Sequence, residues 1–142
     1  MKIGFVGLGN VGSKLAGSLL RNGYEVMVRD LNPDFVNDFV SRGARAADSP
    51  KQLAQTCDIV ITCLPSPAAC SAVMEGTSEV EGVIEGVSEG KIWLEMSTTD
   101  ESEMRRIGAL VERKGAQPVD RPVTGVSQPA DTGNMSNVSG GS

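Results

Sequence analysis

Residues 2–30 read KIGFVGLGNVGSKLAGSLLRNGYEVMVRD, and the reading of this stretch decides the fold. Lys2 to Val6 is a short apolar run of strand character that stops at a glycine. From residue 10 the period changes. Val11, Leu15 and Leu19 recur at i+4 with Ala16 and Leu20 beside them, which predicts a helix over 10–22 with one apolar face. Arg21 falls in its last turn, and Gly23 follows as a stop signal. Glu25 to Val28 returns to strand character. Strand, glycine turn, helix and strand follow one another within about 30 residues, the length of a β-α-β unit.

The alternation continues outward. Phe35, Val36, Phe39 and Val40 form a helical stripe ended by Gly43. Ser49 and Pro50 are the residue types of a helix start, a capping hydroxyl followed by proline in the first turn. Residues 58–64 (DIVITCL) are an almost unbroken apolar run rich in β-branched side chains. That is the composition of a strand buried on both faces, as parallel sheets require. Residues 67–74 predict one or two helical turns, and 91–96 (KIWLEM) a strand. Thr98 and Glu101 have the spacing of a capping box. Met104, Ile107, Leu110 and Val111 then line one helical face as far as Gly115. Residues 116–120 lead into a stretch marked by proline and glycine, and 134–140 resemble a last short strand. Residues 75–90 (EGTSEVEGVIEGVSEG) hold four glycines and five glutamates and predict a solvated loop. The expected fold class is α/β, a doubly wound and mostly parallel sheet of the Rossmann-like kind. The expected domain organisation is one dinucleotide-binding domain over 1–142, cut short at its C-terminal end.

Composition excludes several kinds of chemistry. The 142 residues include 13 Lys plus Arg, 18 Asp plus Glu and no histidine. Without histidine there is no Ser-His-Asp triad, no Cys-His pair and no His-ligated zinc. A net charge of -5 and a pI near 4.7 argue against nucleic acid as a partner. No apolar run approaches the ~20 residues that span a bilayer, so no membrane association is expected. Cys57, Cys63 and Cys70 are odd in number and lack a C-x-x-C spacing, which reads as small buried thiols in a reducing compartment. The expected location is cytoplasmic, and no metal site is expected.

Gly7 to Gly12 (GLGNVG) match G-x-G-x-x-G. The context adds to the motif: it follows a strand, opens a helix and lies in a β-α-β unit, and Asp30 stands at the end of the second strand. The physics assigns each position a task. Gly7 permits a tight turn, Gly9 lets the backbone approach a pyrophosphate, and Gly12 lets helix and strand pack closely. The helix start offers N–H groups and partial positive charge to phosphates. Asp30 is placed to accept from the two ribose hydroxyls of an adenosine. A carboxylate there disfavours a 2′-phosphate. Residue 31 is leucine rather than arginine, and strand alternation points Arg29 to the opposite face. NAD is the expected cofactor, with NADP less favoured.

Four stretches together resemble the β-hydroxyacid dehydrogenase family, the group of 3-hydroxyisobutyrate dehydrogenase, tartronate semialdehyde reductase and the 6-phosphogluconate dehydrogenases. They are IGFVGLGNVG at 3–12, SPKQLAQTCDIVITCLP at 49–65, WLEMSTTD at 93–100 and DRPVTGVSQPADTGNMSNVSGG at 120–141. The resemblance implies that Gly7, Leu8, Gly9, Asn10, Val11 and Gly12 form the cofactor loop. It implies that Leu64 and Pro65 lie against the cofactor and that Thr98 contacts the nicotinamide or its ribose. Asp120, Pro122, Val123, Thr124 and Gly125 look like the family's D-x-P-V-S-G substrate motif, in which Thr124 and Gly125 would hold a substrate carboxylate. Val126 departs from a usual glycine, and Arg121 from a usual small residue. Residues 77–82 look longer than the family loop. The family's catalytic lysine lies on a downstream helix, and Lys2, Lys14, Lys51, Lys91 and Lys114 match no such motif, so no catalytic residue is assigned within the chain. The family's C-terminal all-helical domain, which makes its homodimer, is likewise not matched.

These expectations combine into a hydride-transferring oxidoreductase of small 3-hydroxy acids, represented by its cofactor-binding portion and inactive by itself. One rival is a non-catalytic nucleotide-binding or interaction module of the same fold. Another is a different Rossmann enzyme such as a methyltransferase, which would not need the VITCLP, MSTT and PVTG stretches.

Overall fold

Strand β1 (Lys2–Val6) runs between β2 (Glu25–Arg29) and β4 (Ile59–Thr62), in the middle of a sheet that has six strands among the described residues. The computed structural model describes residues 1–96 and 100–120. Beyond β2 lies the two-residue β3 (Arg45–Ala46); beyond β4 lie β5 (Ile92–Glu95) and β6 (Gln117–Asp120). The order is β3-β2-β1-β4-β5-β6 and every pairing is parallel. The chain builds outward from β1 to β3, returns to the far side of β1 as β4, and builds outward again. The reversal leaves a crevice at the carboxyl ends of β1 and β4, the place where doubly wound sheets hold ligands.

Parallel pairing requires a crossover between strands, and five helices supply it or border it: α1 (Asn10–Arg21), α2 (Pro33–Ser41), α3 (Pro50–Thr56), α4 (Pro67–Glu75) and α5 (Glu101–Arg113). Three of them start by one device. Asn32, Ser49 and Ser66 each precede a proline, and each side chain accepts a backbone N–H of the first turn at 3.0 to 3.1 Å. Proline loses nothing there, since a first-turn N–H has no partner within the helix. At the other end of α3, Lys91 Nζ donates to the carbonyls of Ala54, Gln55 and Cys57.

The sheet divides the core into two layers, as strand alternation requires. Val6, Val60 and Trp93 pack with Leu53, Cys70, Met74, Ile107 and Val111 on one face. Phe5, Val28 and Ile61 pack with Leu15, Ala16, Phe39 and Met96 on the other. Polar groups inside the first layer are paired. Trp93 Nε1 donates to Thr62 Oγ1 at 3.0 Å, and Cys70 Sγ donates to Glu95 Oε2 at 2.7 Å, tying α4 to β5.

Several sequence expectations need correction. Residues 75–90 are not simply a solvated loop. They contain a 3₁₀ turn, Val83–Glu85, and bury Val83, Ile84 and Val87 in the first core layer against α3. Glutamate and glycine dominate the composition there, but three apolar side chains at i, i+1 and i+4 suffice to pin the segment. Helix α5 is capped by Asp100, whose Oδ1 accepts from the Ser102 N–H at 2.8 Å; Thr98 of the expected capping box lies outside the described residues. Residues 117–120, expected to lead into a stretch marked by proline and glycine, form strand β6, the outermost among the described residues, where Pro118 is tolerated. Strand β3 is too short to leave a sequence pattern. On α2 the apolar stripe is half used, with Phe39 buried and Phe35 and Val40 exposed. The expected strand at 134–140 lies outside the described residues.

Candidate functional site

The carboxyl end of β1 delivers the chain into the turn at Gly7. Gly7 has φ +100°, and its N–H donates to Arg29 O at 3.0 Å. A Cβ there would lie 2.0 Å from Cys63 O, so the turn is open to glycine alone. Helix α1 follows without a side-chain cap; Gly9 stands at its N-cap. The first-turn N–H groups of α1 therefore face the crevice with no partner inside the helix. A Cβ on Gly9 would meet nothing within 4 Å, so the space in front of these donors is open. A Cβ on Gly12 would fall 2.0 Å from Gly7 O and 3.3 Å from the Phe5 ring. Helix, turn and strand touch at that point.

These groups open on a cleft of about 670 Å³, a volume suited to a small molecule or cofactor. Gly7, Gly9, Asn10, Val11 and Gly12 line its floor, Asp30 one side, and Leu64 and Pro65 the end of β4. Leu8 differs from its neighbours: its side chain is buried in the core, and only its backbone serves the loop. Asp30 ties the two parts together. Its Oδ2 accepts from the Leu8 N–H at 2.7 Å, and its Oδ1 accepts from the Asn32 N–H at 2.8 Å. Each carboxylate oxygen has a second lone pair for a ligand hydroxyl.

Sequence reasoning missed part of the wall. Leu31, Phe35, Val73, Thr77, Glu79 and Val80 also line the cleft. Leu31 is 96% exposed; in the sequence the available signal was an apolar residue directly after Asp30. Arg29 was expected on the opposite face but borders the cleft. It is the last residue of β2, and its Nη1 bends to the carbonyls of Asp48 at 3.0 Å and Ala47 at 3.4 Å. Thr98, Thr124 and Gly125 lie outside the described residues.

The cleft's thiol is neutral at physiological pH. Burial, with the Glu95 carboxylate adding to it, pushes Cys63 up to about 11. Away from the cleft, Arg106 on α5 grips Glu75 at the end of α4 through Nη1 and Nη2, at 2.8 and 2.6 Å. Hydrogen bonding by that guanidinium, and then by Ser71, lowers the Glu75 carboxyl to about 2. No lysine lines the cleft. Among the described residues no group of histidine, cysteine, aspartate or glutamate is placed to hold a metal ion, and no helix is long and apolar enough to cross a membrane.

A parallel sheet of this order, a glycine turn feeding a helix N-terminus at the switch point, and an acid at the end of the second strand define an NAD(P)-binding Rossmann domain. Residues 2–142 match the family described as the NAD binding domain of 6-phosphogluconate dehydrogenase, and the chain belongs to that family. Over 139 residues it is 34% identical to mouse mitochondrial 3-hydroxyisobutyrate dehydrogenase, covering 98% of the chain and 41% of the mouse protein. The chain thus spans about two fifths of the length of that relative. Among solved structures, 3-hydroxyisobutyrate dehydrogenase of Mycobacterium tuberculosis superposes with a TM-score of 0.72 at 25% identity, over 85% of this chain and 40% of that one. An imine reductase from Myxococcus stipitatus in complex with NADP+ shares the fold, with a TM-score of 0.73 at 18% identity over 84% of this chain and 40% of that one.

Proposed function

We propose that the chain is the cofactor-binding part of an oxidoreductase that moves hydride between a nicotinamide cofactor and the hydroxyl-bearing carbon of a small 3-hydroxy acid, with NAD(H) preferred to NADP(H). The carrying observation is the joint placement of the open α1 N-terminus, Gly9 and Asp30 on one cleft. The residues fit a dinucleotide. The N–H groups of Gly9 to Gly12 and the α1 dipole suit the pyrophosphate. Asp30 suits the adenosine ribose, and its bond to Leu8 holds the loop in position before a ligand arrives. Leu31 and Phe35 offer apolar surface at the adenosine end. Leu64 and Pro65, at the end of β4, would lie against the middle of the cofactor. When bound, the nicotinamide supplies the hydride acceptor or donor. In this reading Thr98 contacts the nicotinamide half, and Thr124 and Gly125 hold the substrate carboxylate.

The choice of hydroxy acid follows the likeness to 3-hydroxyisobutyrate dehydrogenases. None of the five lysines borders the cleft, so no general acid or base is assigned here, and the 142-residue chain by itself is expected to turn over no hydroxy acid. Calorimetric titration tests the binding part. NAD+ should bind more tightly than NADP+, and Asp30→Ala should weaken NAD+ by about tenfold or more, the value of one or two hydrogen bonds to a charged acceptor. Equal or tighter binding of NADP+ by the unaltered chain sinks the role given to Asp30.

A further inference from the structure

The turn after α4 makes a wall of the same cleft, and it is built to hold its shape. Gly76 and Glu81 form an antiparallel bridge. Inside it the Thr77 N–H donates to Val80 O at 2.8 Å, and Thr77 Oγ1 accepts from the N–H groups of Glu79 and Val80, each at 3.2 Å. Helix α3 anchors the turn from below. The Lys51 N–H donates to Glu81 O at 3.3 Å, and Lys51 Nζ pairs with Glu81 Oε2 at 3.1 Å. This arrangement separates the two carboxylates. Lys51 neutralises Glu81. Glu79 is exposed, borders the cleft and, among the described residues, has no cation within ion-pair distance. Asp30 reaches the cleft from the β2 side of β1, and Glu79 from the β4 side. Among the described residues Arg29 is the one basic side chain on the wall, and it spends Nη1 on two backbone carbonyls.

We infer that Glu79 is a second specificity-determining carboxylate, which with Asp30 disfavours a ribose carrying a 2′-phosphate and so favours NAD(H) over NADP(H). The inference rests on the dinucleotide reading of the cleft. The two acids act by different physics. Asp30 contributes hydrogen bonds that a phosphate would replace, and these depend little on salt. Glu79 contributes only its field. Facing a phosphate dianion across a solvated cleft, one such charge alters relative affinity by about three- to tenfold at low ionic strength, and by much less once salt screens it.

Calorimetry with NAD+ and NADP+ on the 142-residue chain and on Glu79→Gln tests this at roughly 20 and 500 mM salt, either side of the ~10 Å screening length of 0.1 M. E79Q should leave NAD+ affinity within about twofold and tighten NADP+ by about three- to tenfold at low salt, most of the gain vanishing at high salt. Glu79→Lys should extend the gain in the same direction. An affinity ratio identical in the unaltered chain and both variants at low salt overturns the inference and leaves the proposed function standing. Failure of the unaltered chain to bind either dinucleotide overturns the proposed function, and the inference with it.

Discussion

The turn at Gly7–Gly12 and the segment at Gly76–Gly86 are both rich in glycine and both border the cleft, yet they use glycine for opposite ends. At Gly9 the missing side chain leaves space that the protein does not fill. At Gly82 and Gly86 the protein itself fills the space: a Cβ would lie 2.4 Å from Met74 O and 2.3 Å from Lys51 O. The first turn stays open for a ligand, whereas the second closes on α3 and α4 and carries Val83, Ile84 and Val87 into the core. Gly12, though inside the ligand motif, belongs to the closed kind. Glycine content does not separate the two regions; what stands opposite each glycine does.

The largest expected effect breaks the closed kind. Gly12→Ala and Gly82→Ala each force a methyl against a backbone carbonyl and should destabilise the fold by about 1–3 kcal/mol or more, read as thermal unfolding several degrees lower. Gly9→Ala should leave unfolding unchanged and weaken dinucleotide binding by about tenfold, ~1.4 kcal/mol. A Gly9→Ala chain that melts like Gly12→Ala would erase the distinction between the two kinds.

A finer comparison sets the cleft against the core through two thiols. Burial pushes both Cys57 and Cys63 up to about 11, Lys91 partly offsetting the shift at Cys57. Alkylation of both should be slow at pH 8 and climb about tenfold per pH unit, since the thiolate is the reactive form. Bound NAD+ should slow Cys63, which borders the cleft, and leave Cys57 unchanged; equal protection of the two would place the ligand elsewhere.

The smallest effect concerns the brace behind the cleft wall. Glu75 titrates near 2 in the folded chain, below its ordinary value of 4.5. Its pair with Arg106 therefore stabilises above about pH 4.5, and that contribution is lost as pH falls toward 2. Because the pair is partly exposed, Glu75→Gln should cost less than about 1 kcal/mol at neutral pH. Urea unfolding at several pH values should show the deficit shrinking on acidification. A deficit that persists at pH 2 would assign Glu75 a role other than this ion pair.

Much of the architecture was legible because its signals are local. The change from strand to helical period at residue 10, the serine–proline start at Ser49–Pro50 and the buried run at 58–64 each depend on near neighbours, and each stands in the structure where the pattern places it. Segment 75–90 was misread for the converse reason. Its polar residues outnumber Val83, Ile84 and Val87, and those three are buried only because α3 lies beneath them. The Asp100 cap of α5 was not singled out because several residues near a helix start have side chains that can cap it. Arg29 turned toward the cleft because alternation ceases to govern a long side chain at a strand's last residue.

By itself, the sequence determined the β-α-β unit, the left-handed turn at Gly7, the open helix start and the acid at Asp30, since each is set by φ restriction, periodicity or capping within about 30 residues. Tertiary structure decided what faces them. Helix α4 and the Thr77–Val80 turn reach the cleft because β4 pairs with β1 instead of extending the sheet beyond β3. That pairing is a contact between residues more than fifty positions apart, and no local pattern encodes it.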